Sequence, residues 1–432
     1  MASAPRRSTS RPTICSTKPI SAPTTRRREA AASLIIEAPA AASRWAWRRG
    51  SDAVSRPATI PLPRRDAPAE PGRAVRRPLA FLLHSLFGLK LSLFLGFVCL
   101  TGTIATISHE LEWLVQPELR GTSNGRTDDY AAMWALVRDR HPDAYIQSLG
   151  TYDRAETGYF VRQADIVLPD GTARRVYIDP SRMIVTGEGS GPTFHFVMRA
   201  LHYYLLLPTD WPFYVVTSLG FVLILSLVTG LLTYKKFWRG FFRTPRWRRS
   251  TRTWAGDLHR LVGLWSLWFV TLIGLTSVWY FVERAAPSLE TPLPEARTRY
   301  ILPTPEPARV AGWIAATRAR FPEIAITGIQ MPYAESDPVI VQGQWRAWLV
   351  RERTNAVFVD PVTDRVIGVR DAGRLSPLER WVHMADPLHF GNFGGVATKL
   401  IWVLFGLLLT GLSATGVIIF AKRTARAAQA VR

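Results

Sequence analysis

Four histidines stand at the edges of apolar segments, and each is preceded by leucine. They are His84, His259, His202 and His389. The first two open segments of the form Leu-His-x-x-x-Gly at an offset of 175 positions, and the last two are 187 positions apart. A histidine at a membrane edge is costly unless it has a partner, and neutral imidazole is a common axial ligand of haem iron. The spacing therefore predicts two pairs, His84 with His259 and His202 with His389, that hold one or two b-type haems.

Three further histidines are alternative ligands near the second pair. They are His195, His383 and His109. His195 lies seven residues before His202 on the same helical face, and His383 lies shortly before His389, so either can replace its neighbour. His109 stands at the end of the first apolar segment. An interfacial histidine often only hydrogen-bonds to a neighbour, so purely structural roles remain open for all of them.

Two short clusters combine acids with histidine, which are ligands typical of a ferric or other transition-metal site. The first is His383, Asp386 and Glu379, and the second is His109, Glu110 and Glu112. The alternative for both is a polar loop at the membrane surface without a metal. Asp257 lies two residues before His259 and is predicted to support that ring as a hydrogen-bond partner.

Four apolar segments approach or exceed the length needed to cross the ~30 Å hydrocarbon layer as helices. They cover residues 79–107, 211–233, 261–282 and 396–420. The last contains Lys399 near its start, and this side chain is predicted to extend to the membrane surface. The pattern predicts an α-helical membrane protein with four transmembrane helices.

The chain has 432 residues and a net charge of +21, and its basic residues cluster at particular ends of these segments. They lie before the first segment, between the second and third, and after the fourth. Because positive residues are retained on the cytoplasmic side, both termini and the loop 235–258 are predicted to be cytoplasmic. This placement indicates contact with anionic lipid and argues against binding of nucleic acid.

The N-terminal tail and the cysteines limit what else the chain can hold. Residues 1–75 are rich in Arg, Pro, Ala, Ser and Thr and are predicted to form a disordered extension. Cys15 and Cys99 provide no disulfide framework and no C-x-x-C-H attachment site. Any haem must therefore be bound without a thioether link.

The two long segments between the apolar runs resemble each other. Each has a helical stretch, then strand-like alternation around an Asp-Pro turn, and the turns at Asp179 and Asp360 are 181 positions apart. With the histidine offsets, this predicts a tandem repeat of helix, small α+β domain and helix, with both domains outside the cell membrane. The predicted boundaries are 79–108, 109–192, 193–234, 235–258, 259–283, 284–378 and 379–423, with a cytoplasmic tail at 424–432.

Over residues 79–423 the chain resembles the PepSY-associated transmembrane proteins of bacteria. The resemblance rests on the Leu-His-x-x-x-Gly openings, the two Asp-Pro modules and several Thr-Gly pairs. These pairs are Thr101-Gly102, Thr229-Gly230, Thr410-Gly411 and Thr415-Gly416. The resemblance implies periplasmic PepSY domains and an inner-membrane reductase of iron uptake that holds b-type haem. Some relatives carry a fused flavoprotein domain that has no counterpart here, which leaves the electron donor open.

Together, the histidines and the resemblance predict a transmembrane electron carrier. Electrons from an unidentified cytoplasmic donor would enter near His84 and His259. They would leave near His202 and His389 for a periplasmic acceptor, which the resemblance suggests is a ferric siderophore or ferric ion. The predicted partners are the lipid bilayer, this donor, periplasmic iron-uptake proteins and a second copy in a homodimer. The alternatives are a non-enzymatic PepSY scaffold or regulator that binds a periplasmic partner, and a transporter.

Overall fold

The computed structural model describes most of the chain beyond residue 78. The described residues are 79–122, 128–152, 158–234, 236–286, 294–296, 304–334 and 336–429, with the backbone alone at 86–90 and 426–429. All of them belong to one unit, Ala74–Arg432. The predicted disordered extension, 1–75, lies outside the described residues.

The described part of the chain contains apolar helices and helices that pack against the sheet, such as Tyr130–Arg140 and Pro307–Arg320. Their bounds are α1 Leu79–Lys90, α2 Ser92–Thr106, α3 Ser108–Val115, α4 Tyr130–Arg140, α5 Phe194–Tyr204, α6 Trp211–Thr233, α7 Thr251–Trp265, α8 Leu267–Ala285, α9 Pro307–Arg320, α10 Pro377–Phe390 and α11 Gly395–Gln429.

Two of these helices, α6 and α11, are each long and apolar enough to cross a membrane. The described residues supply up to four spans if each bent pair counts as one. These pairs are α2 with α3, bent by 53°, and α7 with α8, bent by 68°. The structure divides both segments that were predicted as transmembrane helices at 79–108 and 259–283. The first region is divided among α1, α2 and the start of α3, and the second is divided at Ser266.

The bend between α7 and α8 follows from their unequal polarity. Arg252, Asp257 and Arg260 all lie on α7, whereas α8 carries no charge before Glu283. A helix with charged residues favours a polar boundary, and an apolar helix favours the interior, so the two helices take different directions. The predicted loop 235–258 also ends earlier than expected, because α7 begins at Thr251.

Eight strands form one antiparallel sheet in the order β4-β3-β2-β1-β5-β6-β7-β8. Their bounds are β1 Tyr145–Thr151, β2 Arg162–Val167, β3 Ala173–Asp179, β4 Ile184–Gly189, β5 Ala325–Gln330, β6 Val339–Gln344, β7 Asn355–Val359 and β8 Val366–Arg370. Each half of the sheet comes from one of the two repeated segments. In each half, strands adjacent in sequence are also adjacent in the sheet.

The two halves join at β1 and β5, where Leu149 lies opposite Ile329 and Gly150 lies opposite Gly328. Each strand is the edge of its own half, and an unpaired edge exposes backbone N–H and C=O groups. A Cβ at Gly150 would lie 2.8 Å from the carbonyl oxygen of Thr327, so the close approach needs glycine. The prediction of two separate small α+β domains is thus corrected to one sheet made of two repeated halves.

The core of the sheet is shared by both halves. Helices α4 and α9 pack against the sheet and against each other, and they bury Trp134 and Trp313. The hydroxyl of Tyr130, in the first half, donates a 2.9 Å hydrogen bond to the carbonyl of Ile326 in the second. Because the buried side chains come from both halves, we expect the halves to unfold together.

The repeated Asp-Pro pairs close turns. Asp179 accepts hydrogen bonds from the N–H groups of Ser181 and Arg182, both at 3.0 Å. Asp360 does the same for Val362 at 3.0 Å and Thr363 at 2.9 Å. Each carboxylate replaces backbone acceptors where the chain turns between the last two strands of its half. The repeat of Asp-Pro is therefore structural.

Asp179 gives the sheet a defined pH dependence. Burial alone would raise the pKa of Asp179, but hydrogen bonds from Arg182, Thr122 and Ser181 outweigh it and lower the pKa to about 2. A carboxyl with a lowered folded-state pKa stabilises the fold above its unfolded pKa of about 4, and this stabilisation is lost as the pH falls through about 2. We expect Asp179→Asn to lower the thermal midpoint at pH 7, with the difference from the wild type vanishing near pH 2. Melting curves from pH 7 to 2 check this, with the exposed Asp143→Asn as the control.

Candidate functional site

The first predicted histidine pair meets within the helix bundle. His84 is on α1 and His259 is on α7, and their ring centres lie 6.3 Å apart with the ring planes at 76°. We call these two residues the inner pair. They are far apart in sequence, and the packing of the repeated helices brings them together.

The second predicted pair meets closer to the sheet. His202 is on α5 and His389 is on α10, the helices that follow β4 and β8. Their ring centres lie 6.4 Å apart, with the ring planes at 44°. We call these two residues the outer pair. The structure thus brings together both histidine pairs that the spacing predicted.

The separation within each pair suits one metal ion between two imidazoles. Two rings that bind a metal from opposite sides, with metal–nitrogen bonds of about 2 Å, place their centres roughly 6 Å apart. Two imidazoles that only stack or share a hydrogen bond have no physical reason to keep their centres at this separation. Both observed separations match it.

The inner pair is oriented through Nδ1. His84 Nδ1 lies 3.0 Å from the carbonyl oxygen of Ser226 and 3.3 Å from Thr229 Oγ1. A carbonyl only accepts, so Nδ1 of His84 carries the proton. His259 Nδ1 lies 3.0 Å from Thr415 Oγ1, whose own proton goes to the helix carbonyls of Gly411 and Leu412. This hydroxyl therefore accepts, and Nδ1 of His259 also carries the proton.

The outer pair is oriented in the same way. His202 Nδ1 donates to the carbonyl of Val98 at 3.0 Å, with Thr101 Oγ1 at 3.5 Å. His389 Nδ1 lies 2.8 Å from Thr276 Oγ1, whose proton goes to helix carbonyls. With the threonine hydroxyls donating to their own helix carbonyls, all four imidazoles are assigned the proton on Nδ1. Each leaves Nε2 as the nitrogen with a free lone pair, which is the form a metal binds.

The threonines follow the same repeat as the histidines. Thr101 and Thr276 are 175 positions apart, the offset of the inner pair, and Thr229 and Thr415 are 186 apart, one fewer than the outer pair. Each half of the chain thus supplies one histidine and one threonine to each level. The sequence interpretation gave these threonines no role, although the shared offset was the signal that could have found them.

The glycines after two of these threonines, Thr101 and Thr229, leave room for the rings. A Cβ at Gly102 would lie 2.6 Å from Cε1 of His202, and one at Gly230 would lie 3.3 Å from Cε1 of His84. In such a Thr-Gly pair the threonine hydroxyl contacts the imidazole, and the glycine that follows has no Cβ, so the imidazole can lie against the helix. Thr410-Gly411 differs, because the Thr410 hydroxyl bonds to its own helix and a Cβ at Gly411 would meet nothing within 4 Å.

Asp257 does not support His259, so that prediction was wrong. Its carboxylate instead binds Arg246, at 2.8 Å, and Arg260. Residues two positions apart in a helix point to different faces, which directs this carboxylate away from the ring.

The alternative ligands lie outside the outer pair. The rings of His109 and His195 stack on each other with centres 3.7 Å apart, and His195 Nδ1 lies 2.6 Å from Ser108 Oγ. His383 is largely buried, and its backbone carbonyl accepts from Arg351. Burial, aided by arginines on neighbouring segments, lowers the pKa of His383 to about 4, so its ring is neutral at pH 7.

The two predicted metal clusters do not assemble. Among the described residues, no group of three or more His, Cys, Asp or Glu side chains could hold a metal ion. In the first cluster, Glu379 caps the start of α10, and Asp386 binds Arg351 and the Tyr280 hydroxyl. In the second, Glu112 accepts from Tyr152 and from the backbone of His195. In both clusters the structure thus pairs these carboxylates with other groups and not with each other.

Glu110, from the second cluster, also corrects the prediction for Lys399. The ammonium of Lys399 lies 2.7 Å from Glu110 Oε1, and the lysine is only 3% exposed. It does not extend to the membrane surface, because a carboxylate on α3 is close enough to pair with it inside the protein.

One cavity borders the outer pair, and a second lies nearby. A small one of about 90 Å³ lies beside His202 and His389 and is lined mainly by apolar residues. A larger cleft of about 700 Å³ lies between the polar face of the sheet at β1 and β5 and the turn from α10 to α11. Phe390 lines both, so this one side chain is shared by the cleft and the histidine cavity.

A family model described as the PepSY-associated TM region matches residues 81–423. This range includes both histidine pairs, their threonines and the whole sheet. The chain belongs to the PepSY-associated transmembrane family. As a member of this family it is a membrane protein, consistent with its apolar helices. No curated protein matches the chain.

Proposed function

We propose that this PepSY-associated protein is a b-type haem protein that carries electrons across the membrane to an external acceptor. The observation that carries the proposal is the geometry of the two histidine pairs. In each, the rings are about 6 Å apart, Nδ1 is held by the protein and Nε2 is free to bind iron. Two such levels in one bundle suit passage of electrons through the apolar layer.

The donor set favours haem over a bare metal ion. Each pair offers two imidazoles, and the described residues add no third ligand. A porphyrin supplies the four remaining donors itself, and when bound it provides a reversible one-electron couple. The outer cavity has suitable apolar walls, including Leu223 and Phe269. It is smaller than a porphyrin, so binding the ring requires the surrounding side chains to move apart.

The proposed topology has four spans, with each bent pair counted as one. The basic segment between α6 and α7 then lies in the cytoplasm with both termini, and the sheet lies in the periplasm. The inner pair is placed near the cytoplasmic side and the outer pair near the periplasmic side. Electrons enter at the first and leave at the second.

The large cleft is the proposed place of the acceptor. It is lined by Phe390, next to His389, and by exposed aromatic side chains such as Tyr333 and Trp348. An acceptor held there is separated from the outer pair by little more than one side chain. A ferric siderophore or ferric ion is the proposed acceptor, since reduction to ferrous iron weakens its binding by hard oxygen ligands.

The proposal is tested with the full chain purified in detergent. We expect a Soret band, two haems per chain after extraction into pyridine, and the spectrum of low-spin bis-histidine haem after reduction with dithionite. The reduced protein should then transfer electrons to a ferric trihydroxamate, measured by trapping ferrous iron with ferrozine. Absence of a Soret band and of haem extractable by acid acetone would contradict the proposal.

A further inference from the structure

Arg199 is the charged residue of the outer cavity. It lies on α5 one helical turn before His202, and every other side chain that lines the cavity is uncharged or a histidine. Its guanidinium lies over the ring of Tyr203, 5.3 Å from the ring centre. Within the described part of the chain it forms no ion pair with a carboxylate.

Neighbouring arginines on the same side of the bundle are neutralised. Arg351 binds Asp386 at 2.6 Å and Glu283 at 3.3 Å, and Arg284 binds Asp210 at 2.8 Å. A partly buried cation without a counterion has an unfavourable desolvation energy that an anionic partner would offset. Unlike Arg351 and Arg284, Arg199 can therefore pair with an anionic group that occupies the cavity.

The repeat makes this charge asymmetric. At the offset of 187 that relates His202 to His389, Arg199 corresponds to Asp386. The Asp386 carboxylate is taken up by Arg351 and by the hydroxyl of Tyr280 at 2.9 Å. The two sides of the outer pair thus have the same histidine ligand but differ in charge, and of Arg199 and Arg351 the arginine without a carboxylate partner among the described residues is on the α5 side.

We propose that Arg199 binds a carboxylate of the cofactor held between His202 and His389, namely a propionate side chain of haem. This inference rests on the proposed function. Because α5 begins next to the sheet, Arg199 lies on the sheet side of His202, so the propionates point towards the sheet and its cleft. A guanidinium binds a carboxylate through two parallel hydrogen bonds, which fixes the orientation of the ring as well as its affinity.

The test isolates the outer site and removes in turn the guanidinium of Arg199 and the carboxylates of haem. In a full-length chain carrying His84→Ala and His259→Ala, haem b and haem dimethyl ester are titrated against Arg199 and Arg199→Gln protein, and binding is followed at the Soret band. We expect Arg199→Gln to weaken haem b by about 10- to 100-fold and to leave the ester unchanged. Arg199→Lys should restore most of the affinity for haem b, since it keeps the charge.

Arg284→Gln is the matched control, because Arg284 already pairs with Asp210 and does not line the cavity. It should bind both ligands as the parent does. If Arg199→Gln weakens the binding of haem b and of its ester equally, Arg199 acts through packing and the inference is overturned. The inference is also overturned if the binding of neither ligand is weakened. If the parent binds neither ligand, the haem proposal for the outer site fails together with the inference, an outcome that differs from both of these.

Discussion

We expect that replacing both members of one histidine pair removes one of the two proposed haems per chain and leaves the other. His84→Ala with His259→Ala should lose the inner haem, and His202→Ala with His389→Ala should lose the outer haem, since each site then has no axial ligand. The measurement is haem per chain after extraction into pyridine. We expect two for the parent, one for either double variant and none for the quadruple variant.

The ring angles allow the remaining haem to be assigned. The inner rings stand at 76° and the outer rings at 44°. Low-spin ferric haem with near-perpendicular axial imidazoles has a more anisotropic electron paramagnetic resonance signal than haem with rings closer to parallel. The variant that keeps the inner pair should therefore retain the more anisotropic signal.

The control for this series is His141→Ala. His141 lies in the sheet region, where its Nε2 is 3.1 Å from Glu188, so its loss should leave both haems in place. Both double variants should also stop reduction of an external acceptor, because a single site leaves most of the ~30 Å apolar layer to be crossed. Double variants that keep full function without haem would instead favour the scaffold alternative.

Removing a threonine hydroxyl should weaken haem binding at its own level alone. Thr415→Val keeps the shape of the side chain but removes the hydroxyl that lies 3.0 Å from Nδ1 of His259. Loss of such a supporting hydrogen bond lowers ligand affinity by about 10- to 100-fold. We expect that loss at the inner site for Thr415→Val and at the outer site for Thr276→Val, whose hydroxyl holds His389. Haem titration in the matching single-site backgrounds measures it.

Thr410→Val is the matched control for Thr415→Val. Both threonines are on α11, both are followed by glycine, and both donate to a helix carbonyl, but the Thr410 hydroxyl bonds only to Gly406. A valine at this position should leave both haem affinities unchanged. Equal affinity loss in the two variants would show that the effect comes from the helix and not from the histidine.

The sequence determined which histidines meet in the two pairs. A tandem repeat copies local chemistry at similar offsets, so the separations of 175 between His84 and His259 and 187 between His202 and His389 were enough to predict both pairings. Apolar run length predicted where membrane-compatible helices lie, and Asp179 and Asp360 marked equivalent turns. These features depend on the residues near each position, which is why they can be read along the chain.

Tertiary structure alone decided how the copies fit together. The residues of β1 and β5 do not by themselves predict that these two edge strands will pair. Their pairing depends on a close approach of the two backbones at Gly150. The partner of Lys399 is 289 positions away at Glu110, beyond any local pattern. Asp257 was misread because closeness in sequence is not closeness in space on a helix. The supporting acceptors of all four imidazoles come from other helices, so only packing could reveal which nitrogen each ring leaves free.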